Sequence, residues 1–189
     1  MQAYDEETAG FWNTFPRSFL DMFIASSGMR VLDIGSGPGR DGLLLQAAGK
    51  QVVCIDAASE MVRCSAARGL DSLIGDFSAL PFANGSFDAT WAYTSLLHVP
   101  KNTLATPIAE MRRILRPDGI VGLGLIEGSA ESYRENMKGV SGVFPRWFSY
   151  YQKEEVEEIM HRHGFVLQYF ESITPGPRSY LHFIFKKDA

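Results

Sequence analysis

Short apolar runs alternate along the chain with stretches that are apolar at helical spacing. The apolar runs predict strands at residues 31–34, 51–56, 73–74, 87–93, 120–126, 165–170 and 180–185. The helical stretches lie at residues 7–26, 40–48, 58–68, 103–115 and 152–163. Alternation of strands and helices up to residue 126 predicts a parallel sheet that is wound on both faces. Residues 174–177 are too short for a parallel crossover, so we expect the last two strands to be antiparallel.

Polar or glycine residues follow several of these strands at the point where each one ends. Gly35, Asp56, Asp76 and Tyr93 all lie at or just past a strand end. Right-handed crossovers place the carboxyl ends of parallel strands at one edge of the sheet. Ligands of such sheets bind outside that edge. The pattern therefore predicts a binding site there.

Composition narrows the class of protein. The 189 residues suit one domain, and 46% of them are hydrophobic and 21% charged, as in globular proteins. A net charge of −4 argues against a broad basic surface for nucleic acid. No apolar run reaches membrane-spanning length, and residues 1–7 are acidic where a signal peptide would be basic. We therefore expect no membrane partner. Cys54 and Cys64 fit no metal-ligand or redox spacing, so we expect no metal site and a cytoplasmic protein.

The first strand leads into a glycine-rich turn. Its glycines stand at every second position: Gly35, Gly37 and Gly39. A dinucleotide fingerprint would need Gly or Ala where Arg40 stands, and no Gly-Lys-Ser/Thr follows as a P-loop requires. Such a turn lets backbone amides approach a ligand closely. The alternative is a tight strand-to-helix turn with no ligand.

Three acids stand near this turn and the strand ends. Asp56 lies about twenty residues beyond the first glycine, where a carboxylate can accept both hydroxyls of a ribose. Its alternative is a helix N-cap that accepts from the amide of Ser59 or Glu60. Asp76 can accept from an adenine amine, or it can be a solvated turn residue. Asp33 interrupts an apolar strand, so it either orders the glycine turn or meets a cation or a ligand N–H.

Several motifs occur together in a characteristic order. They are residues 33–39, Asp56 with Met61, Gly75 with Asp76, residues 80–82, residues 86–88, Leu97 with His98, and residues 114–119. Together they resemble a class I S-adenosylmethionine-dependent methyltransferase, in the subgroup often called methyltransferase type 11. The resemblance covers residues 31–126 closely and the last two strands in outline. It implies an α/β, doubly wound, Rossmann-like sheet of seven strands in the order 3-2-1-4-5-7-6, with strand 7 antiparallel.

The resemblance also implies roles for individual residues toward S-adenosyl-L-methionine. The glycine turn would face the methionine part, Asp56 the ribose, and the remaining positions the adenine or the methionine end. The implied cofactor-binding residues are Tyr4, Asp33, Gly35, Ser36, Gly37, Gly39, Asp56, Ala57, Met61, Asp76, Phe77, Ala92 and Tyr93. Val99 stands where the family often has a second histidine after His98, so no role that needs a histidine pair is expected.

The acceptor side of the site is less defined. His98 is the candidate general base, with a packing role as its alternative. Arg146, Trp147, Tyr150 and Tyr151 are candidate substrate residues, or they simply pack a loop. We expect residues 1–189 to form one domain, with a helical segment at 1–28 and a loop or insertion at 127–151 on the substrate side.

A small-molecule acceptor is the favoured substrate class. One alternative is RNA, with phosphate contacts from Arg112, Arg113 and Arg116, although these residues also suit a solvated helix end. The other alternative is a noncatalytic module that retains the fold and its cofactor.

Overall fold

The computed structural model describes residues 18–134 and 146–188. Helices and strands alternate through most of this range. The helices are α1 (Ser18–Ser26), α2 (Arg40–Ala47), α3 (Ser59–Ala67), α4 (Ala105–Ile114) and α5 (Lys153–Arg162). The strands are β1 (Arg30–Ile34), β2 (Gln51–Asp56), β3 (Asp71–Ile74), β4 (Phe87–Tyr93), β5 (Leu115–Ile126), β6 (Glu131–Arg134), β7 (Arg146–Ser149), β8 (Phe165–Ile173) and β9 (Tyr180–Lys187).

Seven strands form one sheet in the order β3-β2-β1-β4-β5-β9-β8. The first five are mutually parallel, and β9 runs antiparallel to both β5 and β8. This order confirms the prediction made from the family resemblance, since β8 and β9 are the sixth and seventh strands of the sheet. The antiparallel final pair, inferred from its short connection, is confirmed as well.

Residues 127–151 contain regular structure that the sequence did not indicate. Strands β6 and β7 pair antiparallel as a separate two-stranded ribbon. The Ser149 hydroxyl donates to the Val99 carbonyl at 2.7 Å and thereby ties this ribbon to the segment that follows β4. The ribbon therefore lies beside the carboxyl ends of the parallel strands.

Apolar side chains fill both faces of the sheet, which explains why the central strands are apolar almost throughout. One cluster contains Leu32 and Ile34 with residues of α4 and α5, and the other contains Val31 with residues of α1 and α2. Alternate residues of β1 thus face opposite layers. None of the helices in residues 18–134 and 146–188 is long and apolar enough to span a membrane.

Candidate functional site

A cavity of about 410 Å³ opens at the carboxyl ends of β1, β2 and β4. It lies at the sheet edge where the sequence predicts a site. The predicted site residues that line it are Asp33, Gly35, Ser36, Gly37, Asp56, Ala57, Met61, Phe77, Tyr93, His98 and Arg146. Most of these residues follow the carboxyl ends of the parallel strands, while Met61 lies in α3 and Arg146 in β7, so the cavity brings distant parts of the sequence together.

The three glycines of the turn differ in what surrounds them. A Cβ at Gly35 would stand 2.4 Å from Ser95 Cβ, and one at Gly39 would stand 2.4 Å from Leu70 Cδ1. Both positions are therefore packed against the protein itself. Gly37 has φ +54°, and a Cβ there would meet nothing within 4 Å. Gly37 also lines the cavity, so its bare backbone is the surface on which a ligand can lie.

Asp56 binds this turn from the end of β2. Its Oδ2 accepts from the Gly37 amide at 2.9 Å, and its Oδ1 accepts from the Ala58 amide at 2.8 Å. The N-cap of α3 is Ala58, so the predicted alternative in which Asp56 caps Ser59 or Glu60 is not what forms. A carboxylate has about four acceptor positions, and these two bonds use two of them. Asp56 is thus fixed in orientation and retains acceptor capacity.

Asp33 lies beneath the turn and is almost fully buried. It accepts a hydrogen bond from the backbone of Gly42 in α2, which favours the expectation that it orders the turn. Burial raises the pKa of Asp33 well above its ordinary value, and the negative charges of Asp41 and Asp56 raise it further. This pKa shift favours the protonated carboxyl, which carries no net charge and is therefore less costly to bury than a carboxylate.

His98 also lines the cavity, from a short 3-10 turn (Leu96–His98) that follows β4. Its Nδ1 lies 2.8 Å from the Trp147 carbonyl oxygen in β7. Because a carbonyl only accepts, Nδ1 carries the proton. Burial lowers the pKa of His98, and the positive charge of Arg146 opposes its protonation as well. His98 is therefore a neutral imidazole whose unprotonated nitrogen is Nε2.

Comparison with known proteins shows which family the central part of the chain resembles. A family model described as a methyltransferase domain matches residues 31–119, which hold the glycine turn, Asp56 and His98. Residues 31–119, just under half of the chain, are therefore similar to the methyltransferase domain family. The family expected from the sequence motifs is confirmed at this level.

Individual relatives agree with the family assignment. The chain is 37% identical over 132 residues to the nocamycin O-methyltransferase of Saccharothrix syringae, covering 64% of this chain and 46% of that protein. It is 37% identical over 107 residues to the demethylmenaquinone methyltransferase of Renibacterium salmoninarum, covering 54% and 44%. The chain thus spans about half the length of these curated relatives.

A solved structure supports the fold. The 1,6-didemethyltoxoflavin-N1-methyltransferase of Burkholderia thailandensis, determined with 1,6-didemethyltoxoflavin and S-adenosylhomocysteine, superimposes with a TM-score of 0.76. The match covers 97% of this chain and 84% of that one at 19% identity. At this identity the likeness concerns the fold alone.

Other residues predicted for the methyltransferase domain lie outside the cavity lining. Ala92 points into the core, because its neighbours Trp91 and Tyr93 take the opposite face of β4. Asp76 accepts from the Ser78 amide at 2.7 Å, as expected of a turn residue. The structure also places Gly39, Trp147, Tyr150 and Tyr151 away from the lining. Tyr4 lies outside the described residues.

Some lining residues of the methyltransferase domain were not anticipated. They are Pro38, Arg40, Asp41, Ala58, Thr94 and Ser95. Thr94 has φ +53°, a left-handed conformation that costs a β-branched residue about 1–2 kcal/mol. Backbone strain of this kind clusters at functional sites. The position of Thr94 directly after β4 was the one available signal, because its conformation has no sequence signature.

The three arginines considered for RNA all bind the protein itself. Arg113 contacts Glu110 and the Phe82 and Leu80 carbonyls. Arg112 donates to the Gly164 carbonyl, and Arg116 pairs with Asp88. These contacts account for the three cations within the fold and supply no argument for a phosphate contact.

Proposed function

We propose that the chain binds S-adenosyl-L-methionine in the cavity and transfers its methyl group to a small-molecule acceptor. The observation that carries this proposal is the open backbone of Gly37, which is held by Asp56 at the cavity wall of a methyltransferase domain. A side chain at Gly37 would occupy the space that the backbone leaves. The cavity volume is within the ordinary range for small-ligand sites.

The residues present fit this cofactor. Asp56 has acceptor positions left for the two ribose hydroxyls, and Ala57, Met61 and Phe77 supply an apolar wall for the adenine. Gly35, Ser36 and Gly37 would accommodate the methionine part. When bound, the cofactor supplies an electrophilic methyl group on a positively charged sulfur. We retain Asp76 as a candidate for the adenine amine, which would require a rearrangement of its turn.

His98 is the candidate general base. Its Nδ1–H is held by the Trp147 carbonyl, so Nε2 can accept a proton from the hydroxyl or amine of the acceptor. The deprotonated acceptor becomes the nucleophile, and alignment supplies the larger part of the rate. Arg146 lines the same cavity and can stabilise an acceptor that becomes anionic.

The β6–β7 ribbon forms the substrate side of this proposed site. It supplies Arg146 to the cavity and the carbonyl that orients His98. The names of the relatives favour small acceptors, because they include nocamycin and demethylmenaquinone methyltransferases. Trp147, Tyr150 and Tyr151 would then act through packing behind the ribbon, since they do not line the cavity.

Two measurements test the proposal. Calorimetric titration should show binding of both S-adenosylmethionine and S-adenosylhomocysteine. Transfer of a labelled methyl group should then be screened against phenols, quinols, carboxylic acids, amines and tRNA. Absence of binding for both ligands would refute the proposal, transfer to tRNA would favour the RNA alternative, and binding without transfer would favour the noncatalytic module.

A further inference from the structure

One row of four residues crosses the sheet from the cavity to its far edge. Tyr93 of β4 is in register with Gly124 of β5, Gly124 with His182 of β9, and His182 with Glu171 of β8. A Cβ at Gly124 would stand 2.3 Å from Tyr93 Cδ2. The missing side chain at Gly124 therefore lets the Tyr93 ring lie across β5 and reach His182.

Hydrogen bonds connect the three side chains of this row. The Tyr93 hydroxyl lies 3.0 Å from His182 Nε2, and His182 Nδ1 lies 3.0 Å from Glu171 Oε1. His182 is fully buried, and Phe19 stacks on its ring at 4.5 Å between centroids and 12° between planes. The imidazole therefore has a fixed position and orientation.

The chemistry of the three groups sets the direction of both bonds. A carboxylate only accepts, so His182 donates its Nδ1–H to Glu171. Burial lowers the pKa of His182, which keeps the imidazole neutral and leaves Nε2 as an acceptor. Tyr93 must then donate its hydroxyl proton to Nε2. The hydroxyl proton points toward β9, and any further bond at the Tyr93 oxygen is one that it accepts.

A purely structural role would explain why His182 has partners, since buried polar groups are nearly always hydrogen-bonded. It does not explain why the row ends at the cavity. Tyr93 is the member of the row that lines the cavity, and Asp33 and Asp41 line it as well. A tyrosine oxygen that accepts favours positive charge at this wall.

We propose that Glu171 and His182 are positioning residues that hold the Tyr93 hydroxyl as an acceptor, so that the site prefers the positively charged cofactor over its neutral product. This inference rests on the proposed function, because it assumes that S-adenosylmethionine and S-adenosylhomocysteine occupy the cavity. The preference would assist product release after each transfer.

Calorimetric dissociation constants for both ligands test the preference. Tyr93→Phe removes the hydroxyl oxygen that accepts. His182→Asn leaves the hydroxyl but removes its partner, because an asparagine amide can replace Nδ1 but does not extend to the hydroxyl. The ratio of the dissociation constant of the product to that of the cofactor should fall about fivefold or more in both variants. The positively charged sulfur of the cofactor would lose an electrostatic contact, comparable in strength to one hydrogen bond, that the neutral sulfur of the product does not make. The control is Thr90→Val, a buried substitution in β4 outside the cavity lining, which should leave the ratio unchanged. Equal changes in both constants, or none, would overturn the proposal.

Nitrogen-15 NMR of the histidines provides a readout that needs no ligand. His182 should appear at neutral pH as a neutral ring with its proton on Nδ1, and Glu171→Leu should disturb this state. An Nε2-protonated or charged ring would overturn the inference even if the cofactor binds. If wild-type protein binds neither ligand, the proposed function fails instead, and the NMR result still decides the direction of the bonds. Thermal unfolding of each variant shows that it is folded, and Tyr93→Phe alone suffices if His182→Asn does not fold.

Discussion

Alanine at Gly37 should separate cofactor binding from folding. Gly37 and Gly49 both have positive φ values, +54° and +84°, and a Cβ at either meets nothing within 4 Å. Gly37 lines the cavity, whereas Gly49 follows α2 and does not. Gly49→Ala is therefore a matched control that imposes the same kind of backbone strain away from the ligand.

The expected magnitudes follow from this geometry. A left-handed backbone conformation destabilises an L-residue by about 1–2 kcal/mol. Replacing glycine by alanine also lowers the chain entropy of the unfolded state, which stabilises the fold by about 0.4–1 kcal/mol. Both variants should thus lose about 1 kcal/mol of stability. At Gly37 the methyl group also keeps ligand carbon atoms at least about 3.5 Å away, which moves the cofactor off the backbone. We expect the dissociation constant to rise at least tenfold, which corresponds to a loss of about 1.4 kcal/mol in binding free energy.

Urea unfolding and calorimetric titration with S-adenosylmethionine measure the two effects separately. The Gly49 variant should lose stability and retain its affinity, while the Gly37 variant should lose both. Unchanged affinity in Gly37→Ala would show that the ligand does not lie against this turn. An equal loss of affinity in the Gly49 variant would show that strain, not contact, weakens binding.

Three further outcomes are expected. Asp56→Asn should weaken cofactor binding at least tenfold, as measured by calorimetry. The asparagine amide cannot accept at both positions, and each hydrogen bond to the charged carboxylate contributes about 1.5–3 kcal/mol. Unchanged affinity would refute the ribose role. His98→Gln should lower kcat about 10²–10⁴-fold with cofactor affinity retained. Wild-type activity should fall as pH drops through the His98 pKa, which burial lowers from its ordinary value. A flat acid limb would exclude His98 as the base. Because the pKa values of His98 and His182 are lowered in the folded state, the unfolded chain binds protons first below about pH 6.5. These two histidines therefore make stability fall on acidification, by up to about 1.4 kcal/mol per pH unit for each group, whereas the raised pKa of Asp33 acts in the opposite direction. Urea unfolding across this pH range should show a smaller loss of stability on acidification in His98→Gln than in the wild type, and equal slopes would contradict this.

The sheet could be anticipated because its determinants are local. Apolar runs, helical spacing and the short link at 174–177 specify most strands and helices, and the family motifs supply their order. The convergence of Gly37, Asp56 and His98 on one edge follows from that order alone. The assignment of the domain was likewise available from short motifs.

Features that depend on pairing across the fold were not available from the sequence. The ribbon β6–β7 pairs strands of four residues each, too short to show an alternating pattern. The Tyr93–His182 bond needs the register of three strands and a glycine between them, and no local pattern encodes that coincidence. Asp76 resembled a binding residue by position, but its own turn uses one of its oxygens.

The backbone carbonyl of Trp147, rather than a side chain, fixes the proton on His98. In the proposed site, substitutions along the ribbon can therefore exchange the groups that would meet an acceptor without disturbing the tautomer of His98, the proposed base. The residues that recognise the acceptor can then change without changing the group that accepts its proton. Laboratory evolution should therefore find altered acceptor preference with the smallest loss of turnover in the ribbon. A library at Arg146, the ribbon residue that lines the cavity, would exploit this separation if residues 95–98 are left intact.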